Sequence, residues 1–190
     1  MPWTAAREAV FARMVPAGFN GNNSMSETPI VSVVGKSNSG KTTLIEKLIP
    51  YLVARGHRVA TIKHHAHSVD IDYKGKDSYR HREAGALAVV LTSPEQLFLT
   101  RKLDREPPLE EIRDTYLSDS YDLIITEGFK QGDAPKIEVN RLARSPELIC
   151  KEKRDHLIAV VSDQTLDLRV PAFQLDDIEG IARFIEKHFL

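Results

Sequence analysis

Residues 30 to 43 read Ile30-Val31-Ser32-Val33-Val34-Gly35-Lys36-Ser37-Asn38-Ser39-Gly40-Lys41-Thr42-Thr43. Gly35 to Thr42 has the form G-x-x-x-x-G-K-[ST], a phosphate-binding loop. An apolar, β-branched run precedes it and a helix-forming run to Val53 follows. Strand, glycine loop and helix together turn backbone N–H groups and a positive helix end toward an anion. Gly35 and Gly40 permit the tight turn and the close approach of backbone to phosphate. Lys41 is expected to reach the β- and γ-phosphates of a nucleoside triphosphate, and the Thr42 hydroxyl to ligate Mg²⁺. The competing reading is a glycine-rich turn that binds nothing.

The rest of the chain agrees with a single α/β domain. Its 190 residues suffice for a sizeable core, and 42% hydrophobic with 28% charged residues is ordinary for a soluble protein. A formal net charge of −1 argues against a bulk nucleic-acid or membrane-surface binder. One cysteine, Cys150, excludes an internal disulfide framework and fits a reducing cytoplasmic setting. No apolar stretch approaches membrane-spanning length. Residues 1 to 27 lack a strand pattern and read as a poorly ordered extension, although Trp3, Val10, Phe11 and Met14 would share one helix face. Met25 would also make a natural start.

Downstream, apolar segments alternate between strand and helix patterns. The phosphate loop opens a helix over Lys41 to Ala54, which Gly56 ends. Strands are expected at Arg58 to Lys63, Ala88 to Leu91, Gln96 to Thr100, Asp122 to Thr126, Lys136 to Val139, Leu157 to Val161 and Ala172 to Leu175. Helices are expected at Asp77 to Gly85, Pro108 to Leu117 and Ile178 to Phe189. This alternation predicts a doubly wound, mainly parallel sheet, the P-loop NTPase fold, over residues 28 to 190.

Such a fold needs a carboxylate at the end of a second buried strand to organise magnesium. Glu127, emerging from Leu123-Ile124-Ile125-Thr126 and followed by Gly128, is the candidate; Asp122 lies at the far end of that strand. The segment Lys63-His64-His65-Ala66-His67-Ser68-Val69-Asp70-Ile71-Asp72 is dense in histidine and carboxylate. It reads as a polar loop at the mouth of the site, in which Asp72 or Asp70 holds a magnesium-bound or attacking water. Transition-metal binding by the three histidines is the alternative. Arg80, His81 and Arg82 are candidates to receive a phosphorylated ligand, or form an exposed helix face.

Lys36, right after the first glycine, resembles the signature lysine of dimeric NTPases with a deviant P-loop. That resemblance implies that it reaches the partner subunit's nucleotide. Ser37-Asn38 departs from the Gly-Gly usual there.

Several elements together resemble the MobB family of molybdopterin-guanine dinucleotide biosynthesis adapter proteins. They are the loop Gly35 to Thr43, the step Lys63-His64-His65, Asp72 through Gly85-Ala86, Thr126-Glu127-Gly128-Phe129-Lys130, and Pro135-Lys136-Ile137-Glu138 with Arg141 after it. The resemblance implies a homodimeric, GTP-binding, weakly GTP-hydrolysing protein. Its partners would be molybdopterin or its molybdenum form and the MobA guanylyltransferase, with GTP and Mg²⁺ as cofactors. By the same similarity Asp163 is expected to read guanine, because a carboxylate accepts from N1–H and the 2-amino group together. There is no clear Asn-Lys-x-Asp motif to support it. Lys130 and Lys136 are further candidates for contacting phosphate or molybdopterin. The alternatives are a GTPase metallochaperone, a small-molecule kinase and a non-enzymatic scaffold.

Overall fold

The structure is a computed structural model that describes residues 27–65, 72–117, 120–151 and 155–190. The proposed extension therefore lies almost wholly outside the described residues. The chain forms two compact units, one containing the chain through His64 together with Leu109–Leu190, the other His65–Pro108. The sequence pattern had suggested one domain. Its apolar strand runs do not reveal that two of them pair only with each other.

The larger unit is built on a six-stranded sheet. Its strands are β1 (Ile30–Val34), β2 (Val59–Lys63), β5 (Leu123–Glu127), β6 (Lys136–Asn140), β7 (Leu157–Ser162) and β8 (Ala172–Phe173), in the order β2-β5-β1-β6-β7-β8. Every neighbouring pair is parallel. The central strands β1, β5 and β6 are buried along almost their whole length because helices cover both faces. Val31, Val33, Leu123, Ile125, Ile137 and Val161 bury one face against helices α1 (Lys41–Ala54) and α4 (Ile178–Phe189). Ile30, Ala60 and Ile124 bury the other face with Leu109 of α3 (Leu109–Tyr116). The expected doubly wound α/β fold is present.

Helix α1 offers Leu44, Ile45, Leu48 and Leu52 to the core at helical spacing. Pro50 lies within it on the exposed side, where the missing N–H leaves the Glu46 carbonyl to solvent. Helix α4 is capped by Asp177, whose carboxylate accepts from the Gly180 N–H at 2.9 Å. At the amino ends of β2 and β5, Arg58 grips Asp122 through its backbone N–H (2.7 Å) and Nη2 (2.7 Å). This hydrogen bonding holds the Asp122 carboxyl below its usual range. Asp122 thus ties two strands together at the end remote from the phosphate loop.

The smaller unit contains the short helix α2 (Asp77–Glu83) and an antiparallel hairpin of β3 (Ala88–Thr92) and β4 (Leu97–Arg101). Residues 93 to 96 close the hairpin, with the Ser93 N–H donating to the Gln96 carbonyl at 2.8 Å. Val90, Leu91, Leu97 and Phe98 are each more than half exposed.

Candidate functional site

Parallel pairing puts the carboxyl ends of β2, β5, β1 and β6 along one edge of the sheet, where ligands bind in this architecture. The loop from Gly35 to Gly40 follows β1 at that edge. Gly35 has φ 150°, and a Cβ there would lie 2.3 Å from the Val139 carbonyl oxygen of β6. Gly40 has φ 103° and begins α1. Glycine is required at both positions, by contact at the first and by left-handed backbone at the second. Asn38, with φ 58°, is a residue type that tolerates this conformation.

Lys41 curls back over the loop. Its Nζ donates to the carbonyls of Lys36 (2.9 Å) and Gly35 (3.3 Å). Partial burial pushes its ammonium below the ordinary lysine range, a tendency that Glu127 opposes. Thr42 Oγ1 lies 3.0 Å from both carboxylate oxygens of Glu127. Lys63 Nζ at the end of β2 stands 3.4 Å from Glu127 Oε2. Register explains the meeting, since Val33, Lys63 and Glu127 are level across β1, β2 and β5. Thr42, Glu127, Lys41 and Lys63 thus share one corner, although 85 residues separate Thr42 from Glu127. A hydroxyl and a carboxylate so placed fit a hard cation that prefers oxygen donors.

The chain turns sharply after Glu127. Gly128 (φ 106°) and Phe129 (φ 53°) are both left-handed, and a Cβ on Gly128 would stand 3.1 Å from His64 Cβ. The Phe129 ring packs against His64, 4.7 Å between centroids, and the His64 N–H donates to the Glu127 carbonyl at 2.9 Å. The Lys63-His64 step and the Glu127-Gly128-Phe129 turn therefore brace each other.

On the opposite side of β1 a second wall rises from β6 and β7. Asn140 is buried, donating to the carbonyls of Ser145 and Glu147 at 3.2 Å each. Its Oδ1 accepts from Gln164 Nε2 at 2.6 Å. Lys36 Nζ reaches Ser145 Oγ of its own chain at 2.8 Å. Arg141 Nε donates to the Ser39 carbonyl at 3.1 Å. Asp163 is exposed, and its Oδ1 accepts from the Leu142 N–H at 2.8 Å. The sequence pattern flags Lys36 and Asp163 but not Ser145 or Gln164, and names Arg141 without a role.

Lys136 needs correction as a candidate for surface contact. It is fully buried, its Nζ donates to the carbonyls of Gly132 (2.5 Å) and Ala134 (3.2 Å), and burial lowers its pKa. Lys130 is exposed. In the smaller unit, Asp72 Oδ1 accepts from Ser78 Oγ at 3.0 Å. Arg80 and His81 are exposed on α2, and Arg82 lies over the Tyr79 ring at 5.1 Å. His67 and Asp70 fall outside the described residues. Among the described residues no group of three or more His, Cys, Asp or Glu side chains gathers to hold a metal. No described helix is long and apolar enough to cross a membrane.

Comparison with known proteins places this geometry among relatives. The family model described as molybdopterin guanine dinucleotide synthesis protein B matches residues 30–163. The molybdopterin-guanine dinucleotide biosynthesis adapter protein of Escherichia coli is 38% identical over 161 residues, which is 83% of this chain and 91% of that protein. Its namesake from Haemophilus influenzae is 36% identical, over 85% of this chain and 89% of the relative. A crystal structure of molybdopterin-guanine biosynthesis protein B superposes with a TM-score of 0.69 at 39% identity, covering 83% of this chain and 97% of the other. The crystal structure of Bacillus subtilis MobB gives a TM-score of 0.69 at 28% identity.

Proposed function

The chain belongs to the MobB family, and from that premise we propose that it is a GTP-binding adapter of molybdenum cofactor biosynthesis. It would work beside a MobA-type guanylyltransferase as GMP is joined to molybdopterin. The family match over residues 30–163 supports the pathway. The observation that carries the nucleotide reading is the meeting of Thr42 with Glu127 beside Lys41.

In this reading the loop amides of residues 36 to 42 and Lys41 hold the β- and γ-phosphates. Lys41 already sits over the loop, so binding exchanges two carbonyl contacts for charged phosphate oxygens. Thr42 and Glu127 would hold Mg²⁺, which supplies charge neutralisation at the phosphates when bound. Lys63, 3.4 Å from Glu127 Oε2, keeps that carboxylate aimed. Lys130 remains a candidate for an anionic contact. Hydrolysis is proposed to be slow, with nucleotide state rather than turnover serving the adapter role.

A homodimer is part of the proposal. An isolated two-stranded hairpin is at best marginally stable in water. Among the described residues the β3–β4 hairpin pairs with no third strand, and it exposes Val90, Leu91, Leu97 and Phe98 across its two faces. A second copy offers the same strands and the same apolar surface, which suits a self-complementary interface. Lys36 would then leave Ser145 to reach the partner's nucleotide.

The test is calorimetry with GTP and ATP in magnesium, on the intact protein and on Lys41→Ala. Losing a charge-assisted contact worth roughly 1.5–3 kcal/mol should lower GTP affinity about tenfold or more. A folded Lys41→Ala variant that binds GTP normally would refute the phosphate assignment. The adapter role is tested by adding the protein to a guanylyltransferase reaction with molybdopterin. A product yield that ignores the wild type as well as the variant would refute it.

A further inference from the structure

Three cations crowd the amino end of α1: Lys36, Lys41 and Arg141. Arg141 is the one the phosphate cradle does not explain. It follows β6, is exposed, and donates to a P-loop carbonyl; among the described residues no carboxylate pairs with it. Its Nη2 would stand 3.4 Å from a Cβ on Gly40, so the guanidinium lies against the first turn of α1. A fixed positive charge there opposes the positive end of the helix dipole. Such a group is stable in place when something anionic or electron-rich covers it.

Sidedness decides what that is. Thr42, Glu127 and Lys63 fix the magnesium and γ-phosphate end of the nucleotide on the β5 and β2 side of β1. The phosphate chain must then leave the loop toward β6, and the nucleoside comes to the 141–147 loop. That loop is braced. Asn140 and Gln164 hold it from beneath, Asp163 holds the Leu142 amide, and Lys36 holds Ser145. A braced loop with an exposed planar guanidinium is a surface on which a flat ring can rest.

We propose that Arg141 is the nucleoside platform of this site: its guanidinium plane carries the purine base, and its Nε bond to the Ser39 carbonyl keeps that plane in register with the phosphate loop. Asn140 and Gln164 are positioning residues for the platform. This rests on the GTP-binding reading and assigns the part of the nucleotide that the phosphate loop leaves unspecified.

The experiment compares a ligand with a base to one without. GTP and inorganic tripolyphosphate, each with Mg²⁺, are titrated by calorimetry into wild type, Arg141→Ala and Arg141→Lys, with melting curves for all three. Stacking on a guanidinium is worth enough to change affinity by roughly threefold to thirtyfold. Wild type should bind GTP more tightly than tripolyphosphate. Arg141→Ala should lose that advantage while holding tripolyphosphate as before. Arg141→Lys keeps the charge and loses the plane, so it should lose most of the advantage too. Equal weakening toward both ligands would place Arg141 on the phosphates and overturn the proposal. So would unchanged GTP affinity in Arg141→Ala, or full retention in Arg141→Lys. A wild type that binds tripolyphosphate but gains nothing from the nucleoside overturns the platform and leaves the phosphate loop standing. A wild type that binds neither ligand overturns the GTP reading itself, and the platform with it.

Discussion

The Thr42 hydroxyl lies equidistant from the two carboxylate oxygens of Glu127, at 3.0 Å from each. A hydroxyl at the start of α1 and an acid at the end of β5 meet because β5 is the parallel neighbour of β1. Glu127→Gln preserves size and removes the charge. Magnesium binding needs hard, preferably anionic oxygen donors. Hydrolysis should therefore drop strongly, while GTP affinity falls less because Thr42 and the phosphates still supply donors. The check is phosphate release across a magnesium series, beside GTP titration. Normal hydrolysis throughout would remove Glu127 from the magnesium role.

Lys36 bears on the proposed dimer. In the single chain its ammonium rests on Ser145 Oγ at 2.8 Å. Action across an interface requires that bond to be exchanged for phosphate, which a charged donor favours. Mixing Lys36→Ala chains with Glu127→Gln chains should then restore hydrolysis at one of the two sites in a heterodimer. That site has its own intact Glu127 and receives an intact Lys36. Heterodimers that form but stay inactive would confine Lys36 to its own subunit.

Much of the fold is legible in the sequence because periodicity reports burial. The pattern of Leu44, Leu48 and Leu52 predicts the observed bounds of α1, and that of Ile181, Phe184 and Ile185 those of α4. The phosphate loop is legible because backbone geometry dictates its glycines. The division into two units is not legible, since the apolar strands β3 and β4 read like core strands. Nor is Arg141 on Ser39 carbonyl, a contact between positions 102 residues apart. Lys136 misleads for a different reason. Lysine is almost always exposed, and only the structure reveals two carbonyls able to satisfy a buried ammonium.

Apolar exposure on the hairpin predicts a specific failure. Leu91→Glu together with Phe98→Glu places like charges on directly paired residues of β3 and β4. Their burial against a second copy would then carry a large desolvation cost. Sedimentation equilibrium should show the wild type as a dimer and the double variant as a monomer, with the parallel-sheet unit still folded by far-UV circular dichroism. A double variant that stays dimeric would place the interface elsewhere.

Cys150 gives a pH prediction. Burial and the nearby Glu138 carboxylate, which accepts from the Cys150 N–H at 2.9 Å, push its thiol up from 9.0 to about 12. The folded state therefore keeps its proton where the unfolded state loses it. The stability from this site is fully present below pH 9.0 and is lost as pH rises toward about 12. Melting temperature should fall over that window more steeply in wild type than in Cys150→Ser. The native thiol should also resist disulfide reagents near neutral pH and react fully once unfolded. Rapid reaction of the native thiol would contradict its burial.

Base choice is proposed to rest on Asp163, and the structure narrows how it would act. One carboxylate oxygen is committed to the Leu142 N–H at 2.8 Å, so Asp163 already shapes the loop that carries Arg141. Its other oxygen is the one left for guanine, which presents two adjacent donors where adenine does not. Asp163→Asn can keep the bond from Leu142 through its carbonyl oxygen while turning a donor toward the base. A lost charged partner costs roughly 1.5–3 kcal/mol, so GTP affinity should fall by about tenfold or more. ATP should change little, and xanthosine triphosphate should improve relative to GTP because xanthine carries an acceptor at position 2. A purely structural role predicts something else: the uncharged Asn carbonyl holds the Leu142 amide less firmly than the carboxylate, so all three nucleotides weaken alike and the melting midpoint falls. Titrating the three nucleotides side by side, with a melting curve for each variant, separates the two. Uniform weakening with a lowered midpoint would leave Asp163 as a brace for the loop and move guanine recognition to another residue of the β6–β7 wall.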